Sequence, residues 1–185
     1  MKRELPQRKN NRLKEYDYSS SGVYFITVCT KDKAPIFWAG NKLVNKADAE
    51  NIVGEDSILP SQKGHLSPAG KIVAEVIEKI PEYYSNMELL QYVIMPNHIH
   101  LLLWIDGCGG RILSSPTKAA DERGKTISTV IGQAKRLISK RLGFPVWQRS
   151  FHDHIVRNDE DYQQIARYIQ ENRLKWELDC FYTKQ

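Results

Sequence analysis

The stretch Tyr92-Val-Ile-Met-Pro-Asn-His-Ile-His-Leu-Leu-Leu-Trp-Ile105 constrains the fold of this chain more than any other. After His98-Ile99-His100 come five large apolar residues in a row, Leu101 to Ile105. Such a run suits a central strand covered on both faces and does not suit a solvated loop. Side chains two apart on a strand share a face, so the two imidazoles look one way while Ile99 and Leu101 look the other. Two neutral imidazoles side by side offer a two-ligand metal edge, or are two histidines satisfied by backbone. Spacing alone leaves both readings open.

Around this run the periodicities predict an alternation of strands and helices. Val23 to Thr30 is almost wholly β-branched or aromatic and reads as a strand. Ser67-Pro68 supplies a helix cap and a first-turn proline, and Ile72, Val73, Val76, Ile77 and Ile80 recur at helical spacing to about Tyr84. Met87–Met95 and His98–Ile105 read as an antiparallel pair turned at Pro96-Asn97, which cannot continue a ladder. A second helix carries Ile127, Val130, Ile131, Ala134, Leu137, Ile138 and Leu142 on one stripe. A fourth strand follows at Phe151–Val156, and Asn158-Asp-Glu-Asp161 opens a last helix whose stripe is Tyr162, Ile165, Ile169, Asn172 and Trp176. The order strand, helix, strand, strand, helix, strand, helix predicts an α+β ferredoxin-like (RRM-like) antiparallel sheet with packed helices, plus an additional C-terminal helix carrying Tyr168.

A chain of 185 residues accommodates one domain with a sizeable core. The expected division is a basic flexible arm over 1–21 and one domain over 22–185, with irregular insertions at about 34–66 and 106–125. Cys29, Cys108 and Cys180 are odd in number and form no Cys-x-x-Cys pair, which excludes an encoded thiolate zinc site and fits a reducing cytoplasm. The basic, polar start excludes a secretory signal, and no stretch reaches 18 uninterrupted apolar residues, so no membrane partner is expected. A net charge of +5 favours polyanionic partners without proving one.

Two histidines supply at most two ligands, so a working metal site needs a further donor from elsewhere in the fold. On the last helix Tyr168 and Asn172 stand four residues apart and project from nearly the same face. A phenol is a poor nucleophile at neutral pH, but beside a cation that polarises the electrophile it can attack phosphorus. Water activated by the same cation would instead give a hydrolytic nuclease.

Three ordered blocks carry a family resemblance: Met95-Pro-Asn-His-Ile-His-Leu101, Val146-Trp-Gln-Arg-Ser-Phe-His-Asp-His-Ile-Val-Arg-Asn158 and Ala166-Arg-Tyr-Ile-Gln-Glu-Asn172. From about Val23 to Trp176 the chain resembles the REP-associated tyrosine transposases, single-tyrosine members of the His-hydrophobic-His endonucleases. The resemblance implies a cytoplasmic, nucleoid-associated enzyme, monomer or homodimer, that cuts and rejoins single-stranded DNA at hairpins through a covalent 5′-phosphotyrosine. It implies His98, His100 and Asn172 as ligands of Mg²⁺ or Mn²⁺ and Tyr168 as the nucleophile. Imidazoles and an amide by themselves suit Mn²⁺, Zn²⁺ or Ni²⁺ better than Mg²⁺. Where the family commonly has Asn-Pro, this chain has Asn172-Arg173, a change expected to lengthen the last helix.

Contacts to nucleic acid are expected from Arg8, Lys9 and Arg12 of the arm, from Lys135, Arg136 and Lys140 on the second helix, and from Arg149 beside Trp147. A solvated helix face and a frayed tail are the plain alternatives. His154, alternating with Asp153 and His152, is expected to support the metal ligands from behind. The competing class is a hairpin-binding module without catalysis on the same scaffold.

Overall fold

In a computed structural model that describes residues 20–39, 66–107 and 126–182, four strands form one antiparallel sheet. They are β1 Gly22–Cys29, β2 Met87–Ile94, β3 His98–Ile105 and β4 His152–Val156, in the order β2-β3-β1-β4. The helices are α1 Pro68–Glu78, α2 Ile80–Tyr83, α3 Ile127–Leu142 and α4 Asp159–Glu171. β3 pairs antiparallel with both β1 and β2, so β1 and β2 run parallel with β3 threaded between them. That is the split βαβ arrangement of the ferredoxin-like fold, as the sequence predicts.

The continuous apolar character of β3 has its reason in this placement. Ile99, Leu101, Leu103 and Ile105 join Tyr24, Ile26 and Val28 of β1 in a core closed by Val73, Val76 and Ile77 of α1 and Ile127, Val130, Ile131 and Ile138 of α3. Leu102, from the other face of the strand, packs with Val93, Met95, Ile165, Ile169 and Trp176 under α4. Each face thus has its own core, and burying a leucine in either is worth roughly 2–5 kcal/mol against alanine.

Three boundaries differ from expectation. The first helix breaks at Lys79, because Pro81 has no N–H to give the Ile77 carbonyl and restarts the chain as α2. A 3-10 turn at Lys31–Lys33, with Asp32 and Lys33 at positive φ, carried no sequence signal. α4 ends at Glu171 with Asn172 as its cap; after it Leu174 N–H returns to Glu171 carbonyl at 3.0 Å and a second 3-10 turn follows at Trp176–Leu178. Arg173 in place of a proline therefore does not lengthen the helix. Packing of Trp176 against the rings of Trp38 and Tyr182 replaces the continued helix.

The connection after β1 is held close to the sheet where it is described. Ser67 Oγ donates to Ile36 carbonyl at 2.6 Å and accepts from Gly70 N–H at 3.1 Å, and Ser67 N–H bonds the Phe37 carbonyl at 2.9 Å. A Cβ on Gly70 would stand 2.2 Å from that same Phe37 oxygen. Gly70→Ala is therefore expected to cost about 2–3 kcal/mol as an overpacking change, lowering the thermal midpoint by several degrees in a melt followed by circular dichroism. Residues 40–65 and 108–125, most of the two expected insertions, and the arm 1–19 lie outside the described residues.

Candidate metal and nucleophile site

Antiparallel register sets the first half of the site. His98 stands opposite Cys29 and His100 opposite Thr27, so both imidazoles emerge on the α4 face of the sheet at the turn end of β3. Both are buried, His98 at 0% and His100 at 1% exposure. His98 Nδ1 lies 2.8 Å from Asn97 Oδ1 and His100 Nδ1 lies 2.8 Å from Thr27 Oγ1. The two Nε2 atoms meet at 3.0 Å. Such an approach requires either a shared proton or a cation, since two lone pairs at that distance repel. The Thr27 hydroxyl can donate or accept, so it can follow His100 through either state.

Burial is the chief influence on both rings. It lowers the His98 pKa to about 3, helped by the Lys33 charge, and lowers that of His100 to about 3, helped by His98 and opposed by Asp179. Both rings are then neutral at physiological pH, the form a metal needs. In the unfolded chain an imidazole takes its proton near pH 6.5, so the folded state resists protonation in the window between about 3 and 6.5 and loses stability as pH falls through it. Metal affinity should accordingly change little between pH 7.5 and 5.5, where a pair of unperturbed histidines would lose about a hundredfold. Calorimetric titration with Co²⁺ at the two pH values measures this.

α4 supplies the second half. Its N-cap, Asn158, accepts from Asp161 N–H at 2.8 Å, and its buried stripe of Ile165, Ala166 and Ile169 seats it on the sheet. Tyr168 then projects at the edge of that stripe, 40% exposed, with its hydroxyl 3.3 Å from His100 Nε2. Phe25 stacks on His100 at 5.1 Å and meets the Tyr168 ring edge-on at 6.1 Å, fixing the spacing between strand and helix. One turn on, Asn172 is buried at 2%, and neither Oδ1 nor Nδ2 has a hydrogen-bond partner. A buried amide left unmatched costs about 1–3 kcal/mol, which a bound ligand would offset.

Asp179 completes the group and went unseen in the sequence. It follows the second 3-10 turn, where no periodicity marks it, and its side chain is 2% exposed. Tyr168 hydroxyl donates to Asp179 Oδ2 at 3.1 Å, and that oxygen lies 3.9 Å from His98 Nε2. Among the described residues, His98, His100 and Asp179 bring one donor atom each within 4.8 Å of one another. Burial first, and then the Asp179 carboxylate, push the Tyr168 phenol above its ordinary pKa. The donor set of two imidazoles, a carboxylate and an orphaned amide fits a divalent cation.

The remaining expected residues distribute differently. Lys135 directs its ammonium to the Gln148, Arg149 and Ser150 carbonyls at 2.7, 3.3 and 3.2 Å, so it staples the loop before β4 and has no proton left for phosphate. Arg136, Lys140 and Arg149 are exposed. His154 is exposed, stands opposite Phe25 in the sheet and pairs with Asp161 at 2.8 Å at the start of α4. The side chains that touch the Nδ1 atoms of His98 and His100 are Asn97 and Thr27. Arg8, Lys9 and Arg12 lie outside the described residues. A groove of about 860 Å³, lined among others by Gln164, Arg167, Tyr168, Asn172 and Asp179, leads from solvent to the phenol.

No family model matches the chain. It is 32% identical over 190 residues to an uncharacterized protein of Haemophilus influenzae, covering 97% of this chain and 95% of that protein. A second Haemophilus influenzae protein, whose name assigns it to the REP-associated tyrosine transposases, is 23% identical over 163 residues, 86% of this chain and 74% of its own. Among solved structures, a REP-associated tyrosine transposase bound to a REP hairpin superposes with a TM-score of 0.53 at 20% identity, covering 89% of this chain and 74% of that one. The four-stranded sheet with its packed helices is the fold of that protein.

Proposed function

We propose that this chain is a REP-associated tyrosine transposase, which cuts and rejoins single-stranded DNA at hairpin sequences through a 5′-phosphotyrosine on Tyr168. The observation that carries the reading is the meeting of a partly exposed phenol with two buried, neutral imidazoles, the hydroxyl 3.3 Å from His100 Nε2. The relative of known structure is bound to a REP hairpin, and the reading takes hairpin DNA as the substrate of this chain.

His98, His100 and Asn172 would hold a divalent ion, Mg²⁺ or Mn²⁺, with Asp179 as a further donor at the same point. Bound there, the ion would supply Lewis-acid polarisation of the scissile phosphate. Tyr168 oxygen attacks the phosphorus, the bond to the 3′ oxygen breaks, that oxygen takes a proton from solvent to become a 3′ hydroxyl, and the 5′ phosphate stays on tyrosine. The phenol proton leaves along the hydrogen bond already made to Asp179. Reversal by an incoming 3′ hydroxyl rejoins strands without an external energy source, because the phosphodiester energy is conserved in the tyrosine ester.

Exposed Arg136, Lys140 and Arg149, and the arm residues Arg8, Lys9 and Arg12, would contact the DNA backbone. The groove beside α4 gives a single strand its path to Tyr168, a role that Arg167 and Gln164 on its wall suit. The test is denaturing electrophoresis of the protein after incubation with 5′- and 3′-labelled hairpin DNA and Mn²⁺. A protein–DNA adduct carrying the label downstream of the cut, and absent with chelator, is the expected result. Cleavage without adduct would assign water as the nucleophile, and binding without cleavage would leave a hairpin-binding module.

A further inference from the structure

Asn97, at the turn between β2 and β3, makes two side-chain contacts with different parts of the molecule. Its Nδ2 donates to the Phe181 carbonyl at 2.8 Å, and its Oδ1 faces His98 Nδ1 at 2.8 Å. The side chain is buried at 1% exposure, and its own carbonyl is held separately by Thr30 N–H at 2.8 Å and Thr30 Oγ1 at 2.9 Å. The amide is not free to flip, because the Phe181 carbonyl can only accept. Oδ1 must therefore face His98, Nδ1 of His98 must be the donor, and the lone pair of that neutral ring is left on Nε2.

From this chain of donors and acceptors we propose that Asn97 is the positioning residue of the metal site and couples it to the C-terminal segment 176–182. The proposal rests on the metal reading above. One amide fixes the His98 tautomer for ligation and holds the segment that brings Asp179 against Tyr168. The segment contributes a second contact to the same ligand, the Phe181 ring packing on His98 at 4.7 Å. Asp179 Oδ1 accepts Phe181 N–H at 2.7 Å, so the carboxylate and the clipped carbonyl belong to one rigid turn. Whatever orders His98 then orders the turn, and the turn orders His98, because coupling of two equilibria is reciprocal. Outer partners of ligating histidines are typically worth 10–100-fold in metal affinity.

Two substitutions separate the two bonds. Asn97→Ala removes both; Asn97→Asp keeps an acceptor for His98 Nδ1 but cannot donate to the Phe181 carbonyl. Mn²⁺ affinity is measured by calorimetry, and ordering of residues 176–182 by amide hydrogen exchange with and without Mn²⁺, on full-length protein of wild-type circular dichroism. Wild type is expected to bind Mn²⁺ and to slow exchange over 176–182 when it does. Asn97→Ala should bind roughly 10–100-fold more weakly and lose that slowing. Asn97→Asp should bind within about threefold of wild type and still lose the slowing. Wild-type affinity in Asn97→Ala, equal weakening in both variants, or metal-dependent slowing that survives either substitution would overturn the proposal and leave the metal site standing. Wild type that binds no Mn²⁺ would overturn the metal reading itself and this inference with it. Should Asn97→Ala fail to fold, Asn97→Asp alone decides: retained affinity without slowing supports the coupling, and any other pairing overturns it.

Discussion

Tyr168→Phe is expected to leave hairpin DNA bound at near wild-type affinity and to lower covalent adduct formation by at least about 10³-fold, to below detection on a denaturing gel. The change removes one oxygen from a ring that is 40% exposed, so it opens no cavity. It deletes the hydroxyl that donates to Asp179 at 3.1 Å and leaves that side chain, 2% exposed, one donor short, a loss of about 1–3 kcal/mol. Both cores stay filled, so a retained circular dichroism spectrum separates the chemical role from a structural one. Cleavage persisting in the variant at the wild-type rate would assign attack to water and remove Tyr168 from the mechanism.

His98→Ala and His100→Ala are expected to abolish adduct with hairpin binding largely kept, and each should also lower stability by about 1–3 kcal/mol. The second effect follows from what each ring leaves behind. Without His98 the buried Oδ1 of Asn97 loses its partner, and without His100 the buried Thr27 hydroxyl and the stacked face of Phe25 lose theirs. Calorimetric titration with Mn²⁺ should show the strong site gone in both. Adduct formed by both variants at wild-type rate in the presence of chelator would sink the metal assignment, whatever the stability change.

Much of this geometry was legible in the sequence because it depends on local periods. A period of two put His98 and His100 on one face, and a period near four put Tyr168 and Asn172 on one side of a helix. The apolar run after His100 marked a strand buried on both faces, and burial then made both imidazoles neutral. What was not legible depends on tertiary meetings. Asp179 sits in no periodic element, and it reaches Tyr168 only because Trp176, Phe181 and Tyr182 fold back onto the sheet. Lys135 looked like a phosphate contact because sequence shows charge and not the three carbonyls that its ammonium finds. The end of α4 was invisible for a related reason: Arg173 and Leu174 tolerate helix, and it is the burial of Trp176 against neighbouring rings that turns the chain.

The separation of the two cores has a bearing on synthesis. Much of what packs over Ile99, Leu101 and Leu103 comes from α1, α2 and α3, which precede β4 in the chain. α4 and the turns beyond it, which follow β4, supply much of the cover over Val93 and Leu102 and set Tyr168, Trp176 and Phe181 against the imidazoles. A chain made from its N-terminus can thus complete one half of its interior while the other still faces water, and the half that waits is the one bearing the histidines. The face bearing the histidines is therefore closed by the last elements of the chain to be made.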